Sequence, residues 1–164
     1  MNKKNNYEDV FIHKSSFVDE NVKIGLNTKI WHFCHVSKGA SIGKNVILGQ
    51  NVFVGNNVVI GDGCKIQNNV SVYEGVNLDK DVFIGPSVVF TNVNFPRANL
   101  EQKNNFLKTI VKSGVSIGAN STIICGVTLG ENSFIGAGSV VKKNVLPNSL
   151  VYGVPAKHIK FINN

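Results

Sequence analysis

The sequence predicts an all-β protein built as a stack of triangular coils. Three observations point there: an apolar residue at every sixth position, a small or β-branched residue four places after it, and Gly, Asn or Asp between them. In steps of six the series runs from Ile12 through Val18, Ile24 and Ile30 to Ile84 and Phe90 without a failed step. The companion positions include Val22, Thr28, Cys34, Val46, Cys64 and Val88. Six is not a helical period, since helical neighbours recur at three, four and seven. It suits a short strand followed by a bend, with β-branched residues in the strand and Gly, Asn or Asp at the bend. Three such hexads close one coil, and stacked coils bury an interior that one coil cannot.

One domain is expected, taken in order as follows. Residues 1–10 form a polar N-terminal tail, and 11–91 a first part of the β-helix. The period then fails, because the step from Phe90 to Ile117 is not a multiple of six. Residues 92–110, with a Pro and many polar side chains, leave the stack as an extruded loop, and a short helical turn fits within LEQKNNFLKTI. Long excursions from a regular scaffold are often functional. The period resumes at Val111, Ile117 and Ile123, so 111–150 form a second part, and 151–164 a C-terminal tail in which VYGVPAK marks the chain leaving the prism.

Composition narrows the function classes. The chain is 43% hydrophobic, enough for a packed core. The net charge is +7, concentrated in residues 101–164, which hold seven basic and two acidic side chains. A polyanionic small molecule such as a nucleotide or coenzyme A fits that excess. Nucleic acid does not, for want of a basic run with interleaved aromatics. Three cysteines without a CxxC pair give no disulfide framework. Cys34 and Cys64 read as small core residues, and Cys125 falls on an outward position with no assigned role. The N-terminus lacks the apolar core of a secretory leader, and no apolar run spans a bilayer, so no membrane insertion and a cytoplasmic location are expected.

The 18-residue coil also predicts neighbours. Residues two places after the inward position form outward columns, one of which reads Glu20, Lys38, Asn56, Glu74, Asn92. Glu74 and Asn92 are therefore one coil apart, about 5 Å, where the chain departs into the loop. A carboxylate beside an amide under a flap is a candidate polar pocket.

The repeat resembles the hexapeptide-repeat family, over residues 11–154. The resemblance implies a left-handed parallel β-helix and a homotrimer with sites between subunits. The runs IWHFCHV (30–36), LGQNVFVG (48–55), QNNVSVYEGV (67–76), VFTNVNFPR (89–97), STIICGVTLG (121–130) and IGAGSVV (135–141) are similar to acetyltransferases that modify 3-amino sugars carried on nucleotides. That subfamily implies acetyl-CoA as co-substrate and a place in surface polysaccharide (lipopolysaccharide) biosynthesis. It also implies a sugar-amine contact for Asn92, with Glu74 nearby. FTNV, with Val93 where dTDP-sugar enzymes tend to carry Asp, resembles the enzymes acting on UDP-2-acetamido-3-amino-2,3-dideoxyglucuronate. A dTDP-3-amino-3,6-dideoxyhexose is the alternative acceptor.

In the expected reaction Glu74 accepts a proton from the amine or holds it by hydrogen bonding, and Asn92 orients it toward the thioester. Arg97 in the loop suits a diphosphate or a uronate carboxylate. His32, His35 and Asn68 are further substrate-binding candidates, although Asn68 also suits a plain turn. Gly136, Ala137 and Gly138 offer a place where a pantetheine arm runs close to backbone, and Lys157, by resemblance, meets a CoA phosphate. No metal is expected. A γ-carbonic-anhydrase-like hydratase would need three histidines converging on zinc, and His13 sits one position off the column of His32. A non-catalytic trimeric scaffold would explain the repeat but neither the loop nor the FTN run.

Overall fold

The computed structural model describes residues 9–162, which form a parallel β-solenoid. Most strands are two residues long, such as Lys65–Ile66 and Ser71–Val72. They collect into three sheets of nine, seven and six strands, called A, B and C here. Up to Ser71–Val72 each strand pairs with its equivalent three hexads later, as in Lys29↔Ile47, His35↔Phe53 and Ser41↔Val59. The chain runs A, B, C in each coil, so three edges result: AB, BC and CA.

The bend at each edge has a physical cause. Its third residue lies in the left-handed region, as at Asn51 (φ 58°), Asn57 (φ 56°) and Gly63 (φ 72°). Asn and Gly tolerate that conformation best, which explains their spacing in the sequence. Phe33 and Ser87 hold the same position at φ 58° and 57° without that tolerance.

The predicted inward series is the core. Ile30, Leu48, Ile66, Ile84, Ile117 and Ile135 stack within sheet A and are all fully buried. Burying each such side chain contributes about 1.5–3 kcal/mol. Cys34 and Cys64 are buried small core residues, as expected. Burial pushes the Cys64 thiol up to about 11, and its Sγ donates to the Asp79 carbonyl at 3.0 Å. It carries almost no thiolate near neutral pH.

The ladder departs from the 18-residue step twice: near its C-terminal end Leu129 bridges Val145 and Phe134 pairs with Leu150, two positions short, and in the middle it opens for the loop. Val76 pairs with Thr109, a step fifteen positions longer than that of a regular coil. The departing loop contains a 3-10 turn at Lys103–Asn105, and the ladder is regained at Thr109–Val111. The loop's base is fastened at several points. Leu107 N–H donates to Asn92 O at 2.9 Å, Cys125 N–H to Thr91 Oγ1 at 2.9 Å, and Gly126 N–H to Thr109 Oγ1 at 3.2 Å.

Two sequence expectations need correction. Cys125 stands on an outward column but is buried, because the loop folds back over it and Asn94 Oδ1 lies 3.3 Å from its Sγ. The C-terminal segment also does not simply leave the prism. Ser149–Gly153 joins sheet A beside Phe134–Ile135, and Ala156–Phe161 returns antiparallel to it as a hairpin. The N-terminal tail lies outside the described residues except for Asp9 and Val10. Among the described residues no helix is long and apolar enough to cross a membrane.

Candidate functional site

Edge BC brings Glu74 and Asn92 together. Ser71 and Val89 are register partners in sheet B, and three residues later each chain turns the same corner. The two residues therefore sit one coil, a backbone spacing of about 4.8 Å, apart on one edge. Both are half-buried. Among the described residues Glu74 Oε1 receives only a long bond, 3.5 Å, from Asn57 Nδ2, which leaves its carboxylate open to a ligand. The Asn92 backbone carbonyl is occupied by Leu107, so the loop base fixes the backbone from which its side chain projects.

Counting on through the break reveals what the sequence columns missed. Phe90 pairs with Ile123 and Ile123 with Val141, so the column continues Asn92, Cys125, Lys143. Above it Lys142, Lys143, Lys157 and His158 line a pocket of about 350 Å³ at the hairpin. The sequence predicts Lys157 at such a place but does not single out Lys142 and Lys143. Their signal is present, but reading it requires the length of the inserted segment to be known.

The other predicted residues are placed elsewhere. His32 and Asn68 share a groove on edge AB with Trp31, Gln50 and Gln67. Asn68 Oδ1 accepts the Gln50 N–H at 2.9 Å, which is a turn-holding bond. His32 stacks on His13 with ring centroids 3.6 Å apart. Desolvation, then the neighbouring His32 and Lys14, push the His13 pKa down. His35 projects from sheet B, with Nε2 3.1 Å from Asp19 Oδ1. Arg97 is exposed in the loop, where Nη1 donates to the adjacent Pro96 carbonyl at 3.0 Å.

Gly136, Ala137 and Gly138 also lie on edge AB, not beside Glu74 and Asn92. A Cβ at Gly136 would fall 2.7 Å from that of Tyr152, so hairpin packing alone accounts for its small size. Gly138 (φ +70°) faces open space. Among the described residues no three His, Cys, Asp or Glu side chains gather as a metal site, since His35 is drawn to Asp19 while His13 and His32 stack on each other.

Residues 21–56, 57–92 and 108–143 match the family described as bacterial transferase hexapeptide (six repeats), and residues 39–74 match the hexapeptide repeat of succinyl-transferase. The chain belongs to the hexapeptide-repeat transferases. It is 41% identical over 167 aligned residues to the dTDP-3-amino-3,6-dideoxy-alpha-D-galactopyranose 3-N-acetyltransferase of Aneurinibacillus thermoaerophilus, an alignment covering 96% of this chain and 86% of that protein. A mutant of AntD, an N-acyltransferase from Bacillus cereus solved with dTDP and coenzyme A, superposes with a TM-score of 0.57 at 26% identity, covering 95% of this chain and 83% of that one. The Vibrio cholerae acetyltransferase VCA0836 with acetyl coenzyme A gives 0.58 at 28% identity over 71% of each chain. With these relatives, this hexapeptide-repeat transferase is an enzyme of the acetyltransferase class.

Proposed function

We propose that the chain transfers an acetyl group from acetyl-CoA to the 3-amino group of a nucleotide-linked deoxy sugar, at edge BC. The observation that carries this is the stacking of Glu74 one coil below Asn92 at the fastened base of the loop. Lysines on the same edge above supply a place for CoA phosphates. The amine approaches from one side and the thioester from the other.

The reaction needs a neutral amine held against the thioester carbonyl. Glu74 accepts a proton of the ammonium or a hydrogen bond from the amine. Asn92, whose Oδ1 is an acceptor, aims the nitrogen lone pair at the carbonyl carbon. The N–C bond forms, the C–S bond breaks, and the departing CoA sulfur takes up the remaining proton, so thiol and amide are the products. In a homotrimer, edge AB of a neighbouring copy would lie against edge BC, and Gly136–Gly138 would then wall the pantetheine arm.

The nucleotide is read as dTDP, because the 41%-identical relative is named for a dTDP-3-amino-3,6-dideoxyhexose. One observation favours a UDP-linked uronate instead: Val93 stands directly after Asn92, where an Asp is usual for dTDP sugars.

Thiol release from acetyl-CoA with a panel of dTDP- and UDP-linked 3-amino sugars tests both readings. Glu74→Gln and Asn92→Ala are each expected to lower kcat/KM by about 100-fold or more. Full activity in the double variant would remove the site. Release only with the UDP-linked uronate would replace the dTDP reading.

A further inference from the structure

We propose that the N-terminal end of sheet B, below Glu74, is a subsite for the pyrimidine nucleoside diphosphate part of the acceptor. Phe17 and Phe33 stack the base, Asp19 reads its edge, and Lys38 meets the diphosphate. The proposal rests on the acceptor being a nucleotide-linked sugar, as read above.

A pocket of about 460 Å³ opens there between Phe17 and Phe33, with Asp19 and His35 at its wall. Phe17 and Phe33 are 72% and 62% exposed as residues, which leaves apolar ring surface in water. Phe33 is the more telling. It holds the left-handed bend position, at φ 58°, that Asn51 and Asn69 hold in the coils above. An aromatic residue there carries backbone strain that Asn would relieve, and its exposed ring contributes nothing to the core. Strain of this kind that packing does not explain is found at ligand sites.

A strip of aromatic rings leads from the pocket toward Glu74. The rings of His35 and Phe53 meet at 5.7 Å, and those of Phe53 and Tyr73 at 5.8 Å. Tyr73 directly precedes Glu74. Beside this aromatic strip runs the column Glu20, Lys38, Asn56, Glu74, three coil steps that span about 14 Å. That matches the reach of an extended nucleoside diphosphate hexose from its base to its sugar amine. Lys38 stands within this span, where the diphosphate would pass. Its ammonium pairs with Glu20 at 3.1 Å, but both side chains are well exposed, and such pairs are weak enough to exchange for a phosphate.

Asp19 decides which base fits. His35 engages only Oδ1, and Oδ2 remains an acceptor. Uracil and thymine present an N3–H donor, which a carboxylate accepts, whereas N3 of cytosine is itself an acceptor. The cytosine 4-amino group also donates to carboxylates, so the discrimination lies at N3: set opposite that atom, Asp19 accepts from thymine and uracil but faces a lone pair on cytosine, which favours dTDP and UDP over CDP.

Calorimetric titration of dTDP, UDP, CDP, thymidine and CoA into the full-length protein tests the subsite. The wild type is expected to bind dTDP and UDP, with CDP at least about ten-fold weaker. Phe33→Asn restores the residue natural to that bend and so keeps the fold; Phe17→Thr places the residue found at Thr122, higher on the same face. Each is expected to weaken dTDP by about ten-fold and leave CoA unchanged. Lys38→Ala should weaken dTDP but not thymidine.

Absence of dTDP and UDP binding, equal affinity for CDP, or unchanged dTDP affinity in the Phe17→Thr/Phe33→Asn double variant would overturn the proposal. So would a fall in sedimentation mass with joint loss of dTDP and CoA, which would make the two rings a contact between copies. The acetyl-transfer reading is separable. Thiol release by a wild type whose sugar KM ignores both substitutions sinks the subsite alone; the expected binding pattern without thiol release sinks the transfer reading alone.

Discussion

Edges AB and BC flank the same sheet and are built from the same bend, yet they differ in completeness. From its second turn onward edge AB is closed at every coil, with left-handed residues at Phe33, Asn51, Asn69, Ser87, Asn120 and Gly138. Edge BC turns the same way at Asn21, Gly39, Asn57 and Gly75, then opens for the loop and closes again at Gly126. On the regular edge polar side chains mostly hold turns, as Asn68 does for Gln50. On the interrupted edge Glu74 is left, among the described residues, with one long bond. The difference teaches that the repeat commits its polar groups to its own backbone wherever it is intact. Side chains become available for a ligand where it is broken.

The strongest way to break this comparison is to repair the edge. Deleting Val93–Leu107 with Lys108→Gly restores the regular coil step and recreates the corner seen at Tyr73–Val76. Acetyl transfer is expected to fall by about 1000-fold or more, because positioning supplies much of the rate, while the thermal midpoint is retained. Retained activity in a folded variant would detach the loop from the chemistry. A smaller effect sharpens the role of edge AB. Ala137→Phe is expected to raise the KM for acetyl-CoA about ten-fold with kcat little changed, which is the signature of lost uniform binding. An unchanged KM would remove Gly136–Gly138 from the CoA path.

The remaining effects concern stability. The Cys64 thiol is pushed from 9.0 up to about 11 in the folded chain. The folded state therefore holds its proton where the unfolded state loses it, so stability falls as pH rises from about 9 toward 11. By pH 10 the loss is about 1 kcal/mol, to be read as a lower urea midpoint that Cys64→Val does not show. The same thiol should resist iodoacetamide at pH 8. The smallest change is expected on edge AB, where Ser87→Gly relieves a left-handed bend and should stabilise by about 0.5 kcal/mol, measured by urea unfolding. Gly126→Ala on edge BC should act in the opposite sense, since it adds strain at φ +87° next to Leu107.

The fold was largely legible because its cause is local. A residue that must point inward every six positions, and an Asn or Gly that must take positive φ, leave marks in the sequence that no tertiary partner is needed to read. The pairing of Glu74 with Asn92 was legible for the same reason, since both precede the break. Beyond it, vertical neighbours depend on how many residues the loop removes from the ladder. Cys125 and Lys143 therefore could not be placed over Asn92 by counting, and the burial of Cys125 depends on Asn94 folding back over it. The C-terminal hairpin was hidden for another reason: its pairing is antiparallel and carries no six-residue period.

The most direct test is a double-mutant cycle on kcat/KM with Glu74→Gln, Asn92→Ala and both together. If the two side chains hold one amine, the second substitution should cost far less than the first, a coupling of at least about 1 kcal/mol. Independent, multiplying losses would mean that the carboxylate and the amide serve different places, contrary to a single pocket at the broken edge.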